Sequence, residues 1–267
     1  MIEPRYATGG SGTVELLEGV ASFNVDTGVM ILDDGRRWDS YTTCHNQLTS
    51  GCTRKQADAY NNYCHKCQAE YDVECAKQAQ QEQYKRLVGE GMAMGSIPDD
   101  FAKWKPSSLY AWQSAALNEC KADYHRNAWI YGLPGVGKTE VAYNVIHNAL
   151  SNGYTAAFID AKELADTGRQ HNRRKAIEGA TVLVIDDLTK MYITEYSASD
   201  LHNVLNDRNK NKRRTIITSE INGAAFAKQL ATKTDGRYGQ STIDRLSWKG
   251  NVCKGIEMIG ENLRRAK

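Results

Sequence analysis

The sequence predicts an α/β fold, a parallel five-stranded sheet with helices on both faces. Three observations predict it. From Asn127 onward, short strand-like stretches alternate with helical ones. A glycine-rich loop joins the first strand-like stretch to the first helical one, and the third strand-like stretch ends in two adjacent carboxylates.

Taken in order, NAWIYG (127–132) reads as the first strand. EVAYNVIHNAL places Val141, Val145, Ile146, Ala149 and Leu150 on one helical face, with Gly153 positioned to stop the helix. TAAFIDA is the second strand and TVLVIDDL the third. SASDLHNVLNDRN reads as a helix with Ser197 or Ser199 as its N-cap. RTIITSEI is the fourth strand, GAAFAKQLAT and STIDRLSW read as helical, and VCKGIEMIG closes the sheet as the fifth strand.

Ahead of this region lie the short β-prone pieces TVELLEG, VASFNVDTG, VMILDDG and RRWDSY, separated by Asp-Thr-Gly and Asp-Asp-Gly turn signals. AEYDVECAKQAQQEQYKRLVGEG is rich in Ala, Gln and Glu and free of Gly and Pro until Gly89, so it reads as a helix. GMAMGSIPDDF (91–101) is expected to break it. The expected division is a small β-rich and helical N-terminal domain over 1–90, a linking segment with a helix over 91–126, and the α/β domain over 127–267.

The 267 residues carry a net charge of only +2, so any nucleic-acid footprint must be local. No apolar run approaches the ~18 residues needed to span a bilayer. MIEPRYATGGSG has no apolar signal core, which leads to an expected cytoplasmic location where disulfides are rare. Five of the seven cysteines (Cys44, Cys52, Cys64, Cys67 and Cys75) fall close together. Cys64-x-x-Cys67 opening a helix is half of a zinc site, and Cys44 and Cys52 are the other half expected here, with His45, His65 and Cys75 as substitutes. Such a Zn²⁺ would be structural, compensating for a thin core. Free thiols around a small core are the competing interpretation.

Gly132-x-x-x-x-Gly137-Lys138-Thr139 has the spacing of a phosphate-binding loop. Between a strand and a helix, its backbone N–H groups turn inward around phosphates and the helix N-terminus adds partial positive charge. The candidate nucleotide contacts are Gly132, Pro134, Gly135, Val136, Gly137, Lys138, Thr139 and Glu140. Lys138 is expected to reach the β- and γ-phosphates and Thr139 to ligate Mg²⁺. Asp186 and Asp187 end the third strand, at the edge where α/β sheets bind ligands. Asp186 is assigned to Mg²⁺ and Asp187 to the attacking water.

SIPDDF, NAWIYGLPGVGKTEVAY, VLVIDDL, NDRNKNKRRTIITSE and STIDRLSW, in that order over roughly residues 91–265, resemble the helicase-loader ATPases DnaC and DnaI and their relative IstB, of the AAA+ class. The resemblance implies ATP and Mg²⁺ as cofactors and self-association, with Arg245 of Asp244-Arg245-Leu246 as an arginine finger acting in trans. It implies Arg264 as a terminal arginine approaching the nucleotide, and a replicative hexameric helicase and single-stranded DNA as partners. Arg208 matches another recurrent arginine. The basic segments carrying Arg173 and Arg174 (GRQHNRRK) and Lys210, Lys212 and Arg213 suggest a groove for the phosphates of a single DNA strand.

Glu220 stands where the family usually has an Asn that polarises water, which implies slow hydrolysis unless Asn222 substitutes. IGENLRRAK follows the last strand directly, so no C-terminal helical lid is expected. The function implied is an ATP-dependent helicase loader of bacterial or phage origin, with the cysteine-rich module as its helicase adaptor. An IstB-like transposition helper and a small-molecule P-loop kinase are the alternatives, and a zinc-dependent DNA-binding module with a vestigial ATPase is a third.

Overall fold

The computed structural model describes residues 20–24, 29–32, 37–39, 65–123, 125–164 and 171–265. The chain divides into two compact units, Met1–Gln78 and Ala79–Lys267. The first contains an antiparallel meander of β1 (Val20–Asn24), β2 (Val29–Leu32) and β3 (Arg37–Asp39), with Phe23 opposite Met30 and Met30 opposite Trp38. The predicted turn sequences fall between these strands. TVELLEG lies outside the described residues.

The division falls within α1 (His65–Ala93), a helix that ends inside the segment 91–101 expected to break it. The neighbours of its last turn differ in how they use its two glycines. The chain turns beyond Ala93 with Ser96 and Ile97 N–H groups returning to Gly91 O, and Ile97 presses on the glycine. A Cβ on Gly91 would stand 2.5 Å from Ile97 Cδ1, whereas one on Gly89 would meet nothing within 4 Å. Gly89→Ala is therefore expected to raise unfolding stability by about 0.5–1 kcal/mol through helix propensity. Gly91→Ala is expected to lower it by about 1–3 kcal/mol through overpacking. Urea denaturation of the two variants checks the opposite signs.

The second unit is a three-layer sandwich. Its sheet has the order β5-β6-β7-β4-β8, all parallel. The strands are β4 (Ala128–Tyr131), β5 (Ala156–Asp160), β6 (Val182–Asp186), β7 (Arg214–Ser219) and β8 (Lys254–Glu257). Alternation along each strand feeds two cores. Ala128, Ile130, Val182, Val184 and Ile216 join α2 (Ala111–Ala122) and α3 (Lys138–Ser151) on one face. Trp129, Leu183, Ile185 and Ile217 join α4 (His171–Gly179), α5 (Glu195–Lys210) and α6 (Gly223–Lys233) on the other.

The predicted face of α3 is buried at all five positions, and Gly153 takes φ 78 just past its end. The cap of α5 differs from expectation. Thr194 caps the helix, and Ser197 returns the bond from the third helical position as a reciprocal capping box. STIDRLSW is helical only in part, as α7 (Gln240–Ile243) and a 3₁₀ turn over Asp244–Leu246.

GRQHNRRK is not a free loop. From His171 it belongs to α4, while Gly168, Arg169 and Gln170 lie outside the described residues. NDRNKNKRR is not one either, since it continues α5 to Lys210 and enters β7 after a turn. Within it, Arg208 and Arg214 are buried and Lys210 and Lys212 are exposed. Among the described residues no helix is long and apolar enough to cross a membrane.

Candidate nucleotide site

Because every strand of the large sheet is parallel, the segments after β4, β6 and β7 emerge at one edge. The loop Gly132–Gly137 leaves β4 there and opens α3, with Gly137 as N-cap at φ 89. That left-handed backbone angle favours glycine, and a Cβ on Gly137 would sit 1.9 Å from Gln113 Nε2 and displace that amide. The loop is held from outside. Trp112 Nε1 and Gln113 Nε2 both donate to Val136 O, at 3.1 and 3.4 Å. Leu263 N–H donates to Gly135 O at 3.0 Å, and Asn262 lies where a Gly135 side chain would be.

Lys138 is buried and folded back over the loop, donating to Gly132 O at 2.7 Å and Leu133 O at 3.0 Å. Burial lowers its pKa, and the nearby charges of Asp187, Glu220 and Asp186 oppose that shift. Phosphate oxygens would replace the two carbonyls as acceptors on a chargeable amine already aimed at the loop.

Thr139 Oγ1 donates to Asp186 Oδ2 at 2.9 Å, which joins the two predicted Mg²⁺ ligands directly. Thr218 Oγ1 donates to Asp186 Oδ1 at 2.5 Å and accepts from Asp187 N–H at 2.8 Å. Burial raises the Asp186 pKa while the two threonine hydroxyls pull it down. A hard cation suits this donor set, one carboxylate and one hydroxyl beside a phosphate loop.

Asp187 stands just beyond β6 at φ 56, a left-handed conformation rare for a residue with a Cβ. Its Oδ2 is ion-paired with Lys190, and its Oδ1 accepts from Thr189 Oγ1 at 3.4 Å. Thr189 Oγ1 in turn accepts from Glu220 N–H at 3.2 Å. The charges of Arg264 and Glu220 both act on Lys190. Glu220 itself is exposed, and Asn222 is engaged as the N-cap of α6 through Ala225 N–H.

Other predicted residues sit apart from this cluster. The Glu140 carboxylate turns to the linking segment, accepting from Trp104 Nε1 at 3.2 Å and Ser107 Oγ at 3.1 Å. Pro134 is exposed at the loop's tip. Arg245 is exposed on its 3₁₀ turn, pinned at its carbonyl by Asn209 Nδ2, and Asp244 takes Gln240 as its partner instead. Among the described residues Arg245 makes no ion pair.

The two basic segments do meet. Arg174 pairs with Glu178 and Asp200, Arg213 donates to Glu178 O, and Arg173 pairs with Glu163. They meet at Glu178, near the N-terminal end of β7 and opposite the phosphate loop, whereas Glu163, the partner of Arg173, follows β5 at the loop's own edge. Arg208 is 1% exposed and serves the fold, donating to Ile177 O, Ala180 O, Arg214 O and Thr215 Oγ1.

Of the zinc candidates, Cys67 is buried and Cys75 exposed; Cys44, Cys52 and Cys64 lie outside the described residues. Among the described residues no group of three or more His, Cys, Asp or Glu side chains is arranged to hold a metal.

A family model for IstB-like ATP-binding proteins matches residues 107–267, which include the whole phosphate loop, both aspartates and the C-terminal segment. The chain belongs to the IstB-like ATP-binding protein family. Its IstB-like region is 30% identical over 131 residues to a protein named for its predicted ATP binding, from the insertion sequence IS5376 of Geobacillus stearothermophilus. That match covers 46% of this chain and 51% of the relative. The chromosomal replication initiator protein DnaA of Lachnoclostridium phytofermentans is 26% identical over 134 residues, covering 46% of this chain and 29% of DnaA. The chain thus spans about half or less of the length of these curated relatives. Among solved structures, this IstB-like chain is similar to DnaI (TM-score 0.48, 18% identity, 63% of this chain and 94% of that one). It is similar also to the DnaC helicase loader (TM-score 0.44, 20% identity, 58% and 95%).

Thr218, Thr189, Lys190 and Gln113 are site residues that sequence reasoning passed over. Thr218 had a weak signal, a hydroxyl side chain beside Ser219 at the end of the RTIITS strand. Gln113 had none, because only the fold brings it 1.9 Å from a Gly137 Cβ position.

Proposed function

We propose that this chain is an ATPase of the AAA+ class that binds Mg·ATP on the loop Gly132–Thr139 and hydrolyses it with Asp187 orienting water. The observation that carries this is the run of hydrogen bonds from Thr139 through Asp186 and Thr218 to the Asp187 backbone, at the edge holding the loop. Lys138 neutralises the β- and γ-phosphates, and Thr139 and Asp186 hold Mg²⁺. Arg245, exposed and without an ion pair among the described residues, is suited to reach the nucleotide of a neighbouring copy, and Arg264 on the docked tail reaches its own. Glu220 places negative charge beside Lys190, which favours slow turnover.

The cycle serves to load a replicative hexameric helicase onto single-stranded DNA, with residues 1–90 as adaptor, stabilised by Zn²⁺ on Cys44, Cys52, Cys64 and Cys67. Arg173, Arg174, Lys210, Lys212 and Arg213 would carry the DNA strand, although the ion pairs of Arg173 and Arg174 leave Lys210 and Lys212 as the freer charges. A transposition helper is the second reading, favoured by the 30% identity to an insertion-sequence protein. Isolating a tagged Asp187→Asn chain from its native cell in ATP and Mg²⁺ separates them. Near-stoichiometric helicase supports loading, and a transposase replaces it with the second reading. Recovery of neither, with turnover independent of protein concentration, counts against both.

A further inference from the structure

We propose that Thr218 is a positioning residue of the nucleotide site, whose one hydroxyl fixes both the Asp186 carboxylate and the Asp187 backbone. The inference rests on the proposed Mg·ATP role of those aspartates. Thr218 lies near the end of β7, 1% exposed, and its Oγ1 gives its proton to Asp186 Oδ1 while accepting the Asp187 N–H. A hydroxyl carries one proton and two lone pairs, so the two bonds are mutually consistent and satisfy it.

Each bond constrains a different part of the chemistry. Asp186 has one oxygen on Thr218 and the other on Thr139, so its carboxylate plane is set and Oδ2 stays on the metal-binding hydroxyl. The second bond holds Asp187 at φ 56. A relaxed extended backbone there would carry the Asp187 side chain away from the turn that holds Thr189 and Lys190. The hydroxyl therefore links metal placement to water placement.

The test compares Thr218→Val, isosteric but without the hydroxyl, with Thr218→Ser in the full chain. ATP turnover is followed against Mg²⁺ concentration, together with ATP binding in chelator and thermal unfolding. Thr218→Val is expected to raise the half-saturating Mg²⁺ and to lower kcat, each by about ten- to a hundred-fold. ATP binding in chelator stays unchanged, and Thr218→Ser restores both quantities. Unaltered Mg²⁺ dependence and kcat in Thr218→Val overturn the proposal. If Thr218→Val fails to fold, Thr218→Ser decides: near-wild-type behaviour supports the proposal, and lost turnover with an intact fold overturns it. A wild-type chain that binds no Mg·ATP removes the functional reading and this inference together, whereas an active wild type beside an unaffected Thr218→Val removes this inference alone.

Discussion

Replacing Asp187 by asparagine is expected to lower the ATP turnover number by about 10²–10⁴-fold and to leave ATP affinity within a few-fold of wild type. The carboxylate lies one residue beyond Asp186, the proposed Mg²⁺ ligand, so the binding proposed for the loop and Lys138 would not depend on it. Its two oxygens are now occupied, one by Lys190 and one by Thr189, and one of them must exchange its partner for water during turnover. Asparagine keeps the size and the Thr218-bound N–H but loses the negative charge that polarises water. The Lys190 partner is 43% exposed at its side chain, so loss of this pair costs about 1 kcal/mol of stability or less. Single-turnover kinetics with an equilibrium ATP titration checks both parts. Lost ATP binding would show that Asp187 works on the ground state, and undiminished turnover would remove it from the chemistry.

The largest effect on stability is expected at Arg208. Substitution by methionine should cost about 3–5 kcal/mol in urea denaturation, although the residue lies in a segment that reads as a basic DNA contact. Its guanidinium serves as the C-terminal cap of α4, making no carboxylate pair among the described residues and donating instead to Ile177 O and Ala180 O at 3.0 and 2.9 Å. It also joins that helix end to β7 through Arg214 O and Thr215 Oγ1. Burial pushes its pKa down to about 9, still above neutral pH, so the group remains a cation sitting on the negative end of a helix dipole. Methionine fills much of the volume but leaves those carbonyls without donors. A loss below 1 kcal/mol would mean that water replaces the guanidinium without penalty.

The five parallel strands were legible because each is a short apolar or β-branched stretch alternating with helical patterns, and the phosphate loop because its chemistry needs specific residues at fixed spacing. Helix ends were less legible. The cap of α5 read as Ser197 or Ser199, yet Thr194 holds it and Ser197 only returns the bond. Charge was the least legible property. Arg208 and Lys210 look alike in sequence, and only the tertiary neighbours put one at 1% exposure and leave the other in solvent. At the site, Asp186 and Asp187 announce themselves as a pair, but their difference is set by Thr218 from another strand and by a left-handed backbone angle. Neither can be seen along the chain.

The docking of Asn262 and Leu263 on the phosphate loop has a consequence for synthesis. The loop leaves the ribosome well over a hundred residues before the segment that braces it. At ordinary elongation rates that interval is on the order of ten seconds. Throughout it the nascent chain carries the motif without its outer wall, and β4 lacks its β8 neighbour. Competence to hold nucleotide is therefore expected only after β8 and the segment through Leu263 have been made, so a ribosome-stalled fragment ending before β8 should already contain the loop and still fail to retain ATP.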